Sequence, residues 1–208
     1  MSLVFYTNPM SRGRIIRWML EETGADYETR FLRYGEEMTG APYAAINPMR
    51  KVPAIVHQGE VVTECGAICL YLADAFPQAG LAPPLAGRAS YYRWMMFAAG
   101  PWEQANINAA LGVNVTPEQS RMAGYGTFDR ALDVLLSLVP EKEYMLGDTF
   151  SALDVYAGSH IGWAIEFGSV PATPRVDAYL KRIRARPAAR RAVELDDAAA
   201  ADYGPVRG

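Results

Sequence analysis

The segment Asn47-Pro48-Met49-Arg50-Lys51-Val52-Pro53-Ala54-Ile55 decides the fold that we predict for this chain, together with Glu64-Cys65 at the start of the next helical pattern. It joins a turn, a strand and a helix start. Only about 5–6% of X-Pro bonds in folded proteins are cis, and a proline at the start of a strand is common without any functional role. A cis bond before Pro53 would expose the Val52 amide and carbonyl as an unpaired edge able to bond an extended peptide.

Glu64-Cys65 opens an apolar helical pattern that Pro77 ends. A carboxylate is favourable at a helix N-terminus, and the free amides of the first turn capture ligand carboxylates. The alternative is that Glu64 only matches the helix dipole, with Cys65 as a small buried neighbour. Taken with the Val52-Pro53 turn, the pair indicates a site that holds a small peptide by its backbone.

Ser11 is the third candidate, since it follows a short apolar run and Asn8-Pro9-Met10 and precedes a helical pattern. A hydroxyl at a helix N-terminus, beside backbone donors, stabilises an anion. Ser is also a common N-cap, and the two roles do not exclude each other.

The order of elements predicts an α/β domain followed by an all-α domain. Residues 1–77 fit the order βαβ and then ββα of a thioredoxin-like domain, with Gln58-Gly59 as a tight hairpin, although residues 33–46 show no clean period. Residues 78–87 are rich in Pro, Gly and Ala and form a linker, and residues 88–208 form the helical domain. Five helices are predicted there, at residues 88–110 with a kink at Gly100-Pro101, 117–138, 151–167, 174–185 and 187–195.

Composition excludes several classes of protein. A formal charge of -3 and a pI near 5.5 give no electrostatic footprint for nucleic acid. The sequence has no signal-peptide pattern and no apolar run of the roughly 20 residues that a membrane span needs. Two cysteines four residues apart, Cys65 and Cys69, suit reduced thiols in a cytoplasmic protein. His57 and His160 lie far apart, so we expect neither a metal site nor a histidine-based triad.

Four motifs in this order resemble the glutathione transferase family over nearly the whole chain, and they suggest its cytosolic, serine-type, bacterial-like members. The motifs are Pro9-Met10-Ser11-Arg12-Gly13-Arg14, the segment from Asn47-Pro48 to Ile55, Glu64-Cys65-Gly66-Ala67-Ile68 with Tyr71-Leu72, and Asp148-Thr149-Phe150-Ser151-Ala152-Leu153-Asp154. The last resembles the family's N-capping box.

The resemblance implies a role for each matching residue. Ser11 donates a hydrogen bond to the glutathione sulfur, and Val52 before cis Pro53 pairs with the cysteinyl backbone. Glu64 and Cys65 hold the γ-glutamyl group, and Lys51 meets a carboxylate of the tripeptide. The family usually has serine or threonine where Cys65 stands, and a thiol is a weaker donor than a hydroxyl.

The implied reaction is activation of the glutathione thiol, the co-substrate, for attack on a small hydrophobic electrophile, as in detoxification, without a metal. Tyr6 is the competing donor, because other classes of the family use a tyrosine near the end of the first strand. Four residues are candidates for an electrophile pocket, although each is commonly a core residue: Met10, Met95, Trp102 and Tyr156. The family also implies a homodimer. The alternatives are a non-catalytic glutathione- or ligand-binding protein and a glutathione-dependent peroxidase, dehalogenase or isomerase.

Overall fold

A computed structural model describes residues 2–203 and divides into two compact units. The first unit runs to Leu81 and resumes at Ala185, and the second is Ala82–Arg184. The sequence-based division assigned everything after residue 87 to the second domain. The last helix therefore packs with the first unit, although its place in the chain predicted that it would belong to the second. The physical reason is a set of ion pairs between this helix and the first unit.

The predicted thioredoxin-like arrangement is confirmed in the first unit. Its four strands are β1 (Leu3–Thr7), β2 (Glu28–Phe31), β3 (Ala54–His57) and β4 (Glu60–Thr63). They form a sheet in the order β2-β1-β3-β4, with β1 and β2 parallel and the other two pairs antiparallel. The Gln58-Gly59 hairpin is also confirmed, since both residues have positive φ, at 55° and 89°.

Helices cover both faces of this sheet. Strand β1 alternates, so that Leu3, Phe5 and Thr7 are buried while Val4 and Tyr6 face the other way. Helix α1 (Gly13–Thr23) contacts β1 and α4 (Cys65–Ala75), and it ends at Gly24, whose φ of 65° suits glycine. The stretch without a clean period forms two short helices, α2 (Glu36–Thr39) and α3 (Ala41–Ala44).

The second unit is helical, as predicted. Its helices are α5 (Arg88–Phe97), α6 (Glu103–Ala110), α7 (Phe128–Ser137), α8 (Ala152–Glu166) and α9 (Pro174–Arg184). The predicted kink is confirmed as a π-helical turn, Ala98–Trp102, which contains Pro101. The single helix predicted over residues 117–138 is wrong, because Gly126 has a φ of 71° and Thr127 caps a new helix by accepting a bond from the Arg130 amide.

The predicted capping box stands at the start of α8. Asp154 accepts hydrogen bonds from the Ser151 amide and hydroxyl, both at 3.0 Å, from the Met145 amide at 2.9 Å and from the Tyr179 hydroxyl at 2.9 Å. Asp154 is fully buried, and that burial raises the pKa of its carboxyl despite the four donors. The box thus ties the entry of α8 to α9.

The last helix, α10 (Pro187–Ala200), lies along α1 and closes the first unit. At one end, Arg186 donates two bonds of 2.7 Å to Glu22. At the other, Arg17 and Asp196 form an ion pair of 3.1 Å in which the side chains are only 3% and 1% exposed. Because the residues pair in reverse order along the two helices, α10 runs antiparallel to α1.

In the buried Arg17–Asp196 pair, the arginine has more partners than the aspartate. Arg17 also donates to the Tyr27 hydroxyl at 3.1 Å and to the Thr29 hydroxyl at 2.6 Å, and its guanidinium lies 5.0 Å from the centroid of the Phe5 ring. One oxygen of Asp196 has no hydrogen-bond partner among residues 2–203. Burial raises the pKa of Asp196, and the Arg17 charge opposes that rise.

No helix within residues 2–203 has the length and apolar character that crossing a membrane requires.

Replacing Arg17 by Met is expected to lower the free energy of unfolding by about 3–5 kcal/mol at neutral pH, because it leaves a buried carboxylate without its cation. Burial raises the folded pKa of Asp196, and a raised folded pKa contributes stability that is present below the unfolded pKa and lost as pH rises through the folded pKa. The loss in Arg17→Met should therefore be smaller in mildly acidic buffer than at neutral pH. Urea denaturation at both pH values measures this.

The double variant Arg17→Met, Asp196→Leu should recover most of that loss, since no charge stays buried. Arg30→Met removes an exposed pair with Glu28 and serves as the control, with little change expected. An Arg17→Met loss no larger than that of the control would refute the assignment.

Candidate functional site

Three loop segments meet at one end of the sheet because of its register. Tyr6 lies opposite Ala54, and Ala54 lies opposite Thr63. Since β3 runs antiparallel to both neighbours, the chain leaves β1, enters β3 and leaves β4 at the same end. The Ser11 turn, the Val52-Pro53 turn and Glu64-Cys65 therefore share one sheet end.

The Val52-Pro53 peptide bond is cis, as the peptide-edge interpretation requires. The preceding Lys51 carbonyl is fixed by two side chains, the Tyr43 hydroxyl at 2.6 Å and the Asn47 amide at 2.8 Å. Burial raises the pKa of Tyr43 to about 12, so its hydroxyl stays protonated and donates.

Val52 itself is held by its side chain, which packs against the buried cluster of Met38, Tyr43 and Ala54. Among residues 2–203, no backbone group pairs with the Val52 amide or carbonyl. The side chain thus anchors the residue while its peptide groups stay available, which is the condition for strand-like pairing with an extended peptide.

Glu64 has a strained backbone conformation. Its φ of 66° and ψ of 118° lie outside the regions that non-glycine residues prefer, and such conformations concentrate where function requires them. The Glu64 side chain is exposed, and its carbonyl accepts the bond from the Ile68 amide that begins the ladder of α4. The amides before Ile68 point out of the helix end, towards the space that a ligand carboxylate would take.

Cys65 connects this helix end to the Ser11 turn. Its thiol donates to the Arg12 carbonyl across 3.7 Å, a weak bond of sulfur. The side chain is buried, at 8% exposure. The residue that departs from the family pattern therefore contacts the turn that carries Ser11.

The Ser11 hydroxyl has a donor and an acceptor partner within its own turn. It donates to the Asn8 carbonyl at 2.7 Å and accepts from the Gly13 amide at 3.0 Å. Asn8 is fully buried, donates to the Leu32 carbonyl at 2.8 Å and accepts from the Met10 amide at 2.9 Å. Ser11 thus caps the turn before α1, and the residue is half-buried.

Gly13 permits this turn to lie against the sheet. A Cβ atom at that position would overlap the Thr7 hydroxyl and lie 3.1 Å from the Ser11 hydroxyl. Any larger residue would push the turn away from β1. The requirement for glycine is therefore one of space and is set by Thr7.

Tyr6 packs, like Val52, against the cluster of Met38, Tyr43 and Ala54. Its ring centroid lies 5.6 Å from that of Tyr43 and 5.7 Å from the Arg30 guanidinium, and its hydroxyl is 3.5 Å from an Arg30 nitrogen. Since side chains alternate along β1, Tyr6 points to the face opposite Thr7, which lies beside Gly13. Of the two candidate donors, only Ser11 belongs to the turn that Cys65 contacts.

The proposed electrophile-pocket residues separate into two groups. Met10, next to Ser11, is 46% exposed. Met95, Trp102 and Tyr156 belong to the second unit and are buried, with 0%, 0% and 1% of their surfaces accessible. These three are core residues of that unit, and Met10 alone of the four candidates has an exposed side chain.

Several residues that support the site were assigned no role from the sequence, although Asn8, Arg14 and Asn47 lie in the quoted motifs. Tyr43, Asn47 and Asn8 each bond a backbone group of a turn, and Arg14 bonds the Pro9 carbonyl at 2.6 Å. The one signal that the sequence offered is the Asn-Pro dipeptide, which occurs at both turns, since asparagine before proline favours turn initiation. In the described part of the chain, no group of three or more His, Cys, Asp or Glu residues is arranged to hold a metal ion.

Residues 1–74 match the family model of the glutathione S-transferase N-terminal domain. Among curated proteins, the chain is similar to glutathione S-transferase GstA of Escherichia coli O157:H7, with 25% identity over 78% of this chain and 79% of that protein. It is also similar to maleylacetoacetate isomerase of Pseudomonas aeruginosa, with 28% identity over 92% and 95% of the two chains.

The chain is also similar to solved structures of glutathione transferases. A glutathione transferase from Methylococcus capsulatus is 29% identical, with a TM-score of 0.75 over 94% of this chain and 99% of that one. A sphingomonad glutathione S-transferase complexed with glutathione is 27% identical, with a TM-score of 0.74 over 93% and 98%.

Substituting Gly13 by Ala is expected to destabilise the protein by about 1–3 kcal/mol, because the added methyl group overpacks the contact with Thr7. The double variant Thr7→Ala, Gly13→Ala should recover part of this loss, since it removes the atom that collides. Thermal unfolding compares the two.

Gly100→Ala is the matched control. A Cβ there meets no atom within 4 Å and its φ is not positive, so an added methyl group should leave the melting temperature unchanged or raised. Equal losses from Gly13→Ala and Gly100→Ala would show that the contact with Thr7 does not limit the turn.

Proposed function

The chain belongs to the glutathione S-transferase family, and we propose from this premise that it binds glutathione at the described sheet end and activates the thiol as a nucleophile. The second substrate in this proposal is a small hydrophobic electrophile. The observation that carries the proposal is that the Ser11 turn lies at the same end of the sheet as the Val52 backbone, with which no backbone group in residues 2–203 pairs.

Binding requires a partner for each polar part of the tripeptide. The Val52 amide and carbonyl pair with the cysteinyl unit in the manner of an added strand. The γ-glutamyl carboxylate takes the amides at the start of α4, and its ammonium takes the exposed Glu64 carboxylate. The exposed Lys51 side chain, next to Val52, meets the remaining carboxylate.

Activation needs a donor for the sulfur, and Ser11 supplies it by rotating its hydroxyl from the Asn8 carbonyl. The bond given up is neutral and contributes about 0.5–1.5 kcal/mol, whereas a bond to a charged group contributes about 1.5–3 kcal/mol. Asn8 keeps an acceptor role, because the Ser11 amide still donates to its carbonyl at 3.1 Å. The exchange therefore favours the thiolate.

The start of α1 adds a second contribution. A helix N-terminus stabilises an anion by about 0.3–1 kcal/mol, and one pKa unit corresponds to about 1.4 kcal/mol. With the hydroxyl exchange, these effects lower a thiol pKa from about 8.5 by roughly one to two units, which makes the thiolate abundant at neutral pH. Ser11 stays protonated, and the thiol proton leaves to solvent.

The thiolate then attacks the electrophilic carbon of the second substrate, forming a C–S bond and displacing a leaving group or adding to a double bond. Isomerisation is a second candidate, favoured by the likeness to maleylacetoacetate isomerase over 92% of this chain. In that case, addition of the thiolate is followed by its elimination after bond rotation, and glutathione is returned unchanged.

A non-catalytic glutathione-binding role is tested separately. Retention on immobilised glutathione without conjugation, peroxidase, dehalogenation or isomerisation activity over a broad substrate panel would favour it. The cytoplasmic location and the homodimer stay predictions, and sedimentation as a monomer at micromolar concentration would contradict the dimer.

Ser11→Ala is expected to raise the pKa of the bound thiol and to lower kcat/KM at neutral pH by roughly tenfold or more, because it removes a charge-assisted bond. Tyr6→Phe should leave both nearly unchanged, since its hydroxyl lies beside Arg30 on the other face of the sheet. The pH dependence of kcat/KM with a general aryl electrophile measures this, and the reverse ranking would overturn the assignment of Ser11.

Glu64→Gln tests the binding half of the proposal. Removing the carboxylate that meets the glutathione ammonium should weaken binding by about tenfold or more, with little change in the pKa of the bound thiol. Calorimetric titration with glutathione gives the affinity. Glu60→Gln is the control, because Glu60 is exposed and begins β4 at the hairpin, the opposite end of that strand from Glu64. An equal loss in both variants would contradict the assignment.

A further inference from the structure

One side chain connects the Ser11 turn to the far end of the chain. Arg14, in the first turn of α1, donates from Nε to the Pro9 carbonyl at 2.6 Å. A second nitrogen of the same guanidinium, Nη1, lies 2.7 Å from a carboxylate oxygen of Asp197 in α10. A single planar cation thus joins the turn before α1 to the helix that lies along it.

The carbonyl that Arg14 holds belongs to the turn on which the Ser11 hydroxyl depends. Pro9 follows Asn8, whose carbonyl takes the Ser11 hydroxyl, and precedes Met10, whose amide donates to the Asn8 side chain. Proline has no amide hydrogen, so the Pro9 carbonyl is the only backbone polar group through which this residue can be fixed. Arg14 occupies it.

The bridge is poorly suited to stabilising the fold. The Arg14 and Asp197 side chains are 28% and 60% exposed, and pairs with such exposure contribute little to stability. The neighbouring pair Arg17–Asp196 is buried, and Arg186–Glu22 has both bonds in one fork and a Glu22 that is 6% exposed. Those two pairs hold α10 in place. The Arg14 contact is not needed for that purpose, and its effect is to fix the turn.

We propose that Arg14 is a positioning residue of the site: bonded to Asp197 on one side and to the Pro9 carbonyl on the other, it sets the turn so that the Ser11 hydroxyl meets the glutathione sulfur. The inference rests on the proposed function. It makes α10, through Asp197, a support for the turn that carries Ser11.

The planar fork of arginine is what the position requires. Nε and Nη1 donate in fixed directions about one plane, so two acceptors are held at once and at a set angle. A lysine keeps the charge near Asp197, but its ammonium is a point at the end of a flexible stem. Arg14→Lys therefore separates the charge of the bridge from its geometry.

Amide hydrogen exchange of the ligand-free protein tests the positioning itself. In Arg14→Met, the Ser11 and Gly13 amides should exchange at least tenfold faster than in the parent protein, and in Arg14→Lys by an intermediate factor. Arg186→Met is the matched control, because it breaks the pair at the opposite end of the same two helices. It should lower the melting temperature more than Arg14→Met does and leave those two amides unchanged.

The pH dependence of kcat/KM tests the consequence. Arg14→Met should shift the thiol pKa of bound glutathione upward by about one unit and lower kcat several-fold, with the KM for glutathione changed less than twofold; Asp197→Asn should follow in the same direction with a smaller effect. Exchange at Ser11 and Gly13 equal to that of the control, or a pH profile unmoved in Arg14→Met, would overturn the inference. A parent protein that fails to lower the thiol pKa of glutathione would refute the proposed function instead, while the exchange data still decide whether Arg14 fixes the turn.

Discussion

The close approach of Gly13 to Thr7 is the constraint on which the site depends. Thr7 ends β1, and the space for a Cβ at Gly13 is taken by its hydroxyl. This contact lets the chain turn sharply from strand to helix, and it brings the Ser11 hydroxyl to the sheet end where β3 begins and β4 finishes. Cys65 then reaches the Arg12 carbonyl from the start of α4.

The site is built from polar groups whose partners are mostly backbone atoms. Asn8 donates to the Leu32 carbonyl, and Tyr43 and Asn47 both donate to the Lys51 carbonyl. These side-chain hydrogen bonds fix the turns. The groups that we propose for ligand binding differ: no backbone group within residues 2–203 pairs with the Val52 amide or carbonyl, and the Glu64 side chain is exposed. The strained φ of Glu64 persists because the turns around it are fixed by hydrogen bonds.

Ion pairs with α1 hold the C-terminal segment against the first unit. Along α1, Arg14 and Arg17 meet Asp197 and Asp196 of α10, and Glu22 meets Arg186, which immediately precedes α10. The exposure of these pairs differs greatly, from almost complete burial to open solvent, so they contribute differently to stability. The consequence is that the helix latest in the chain lies beside the turn that carries Ser11.

The sequence by itself determined the order of the strands and main helices over residues 1–77 and the helical character of the second unit, and it predicted candidate residues for glutathione. Strand and helix periods, turn dipeptides and a capping box are local signals. The sequence did not reveal that Gly126 divides a predicted helix, since a glycine within a helical pattern is often tolerated. Only the tertiary structure decided that Met95, Trp102 and Tyr156 are core and that α10 packs on α1. Burial and ion pairing between segments some 180 residues apart depend on which surfaces meet, and no local pattern records that.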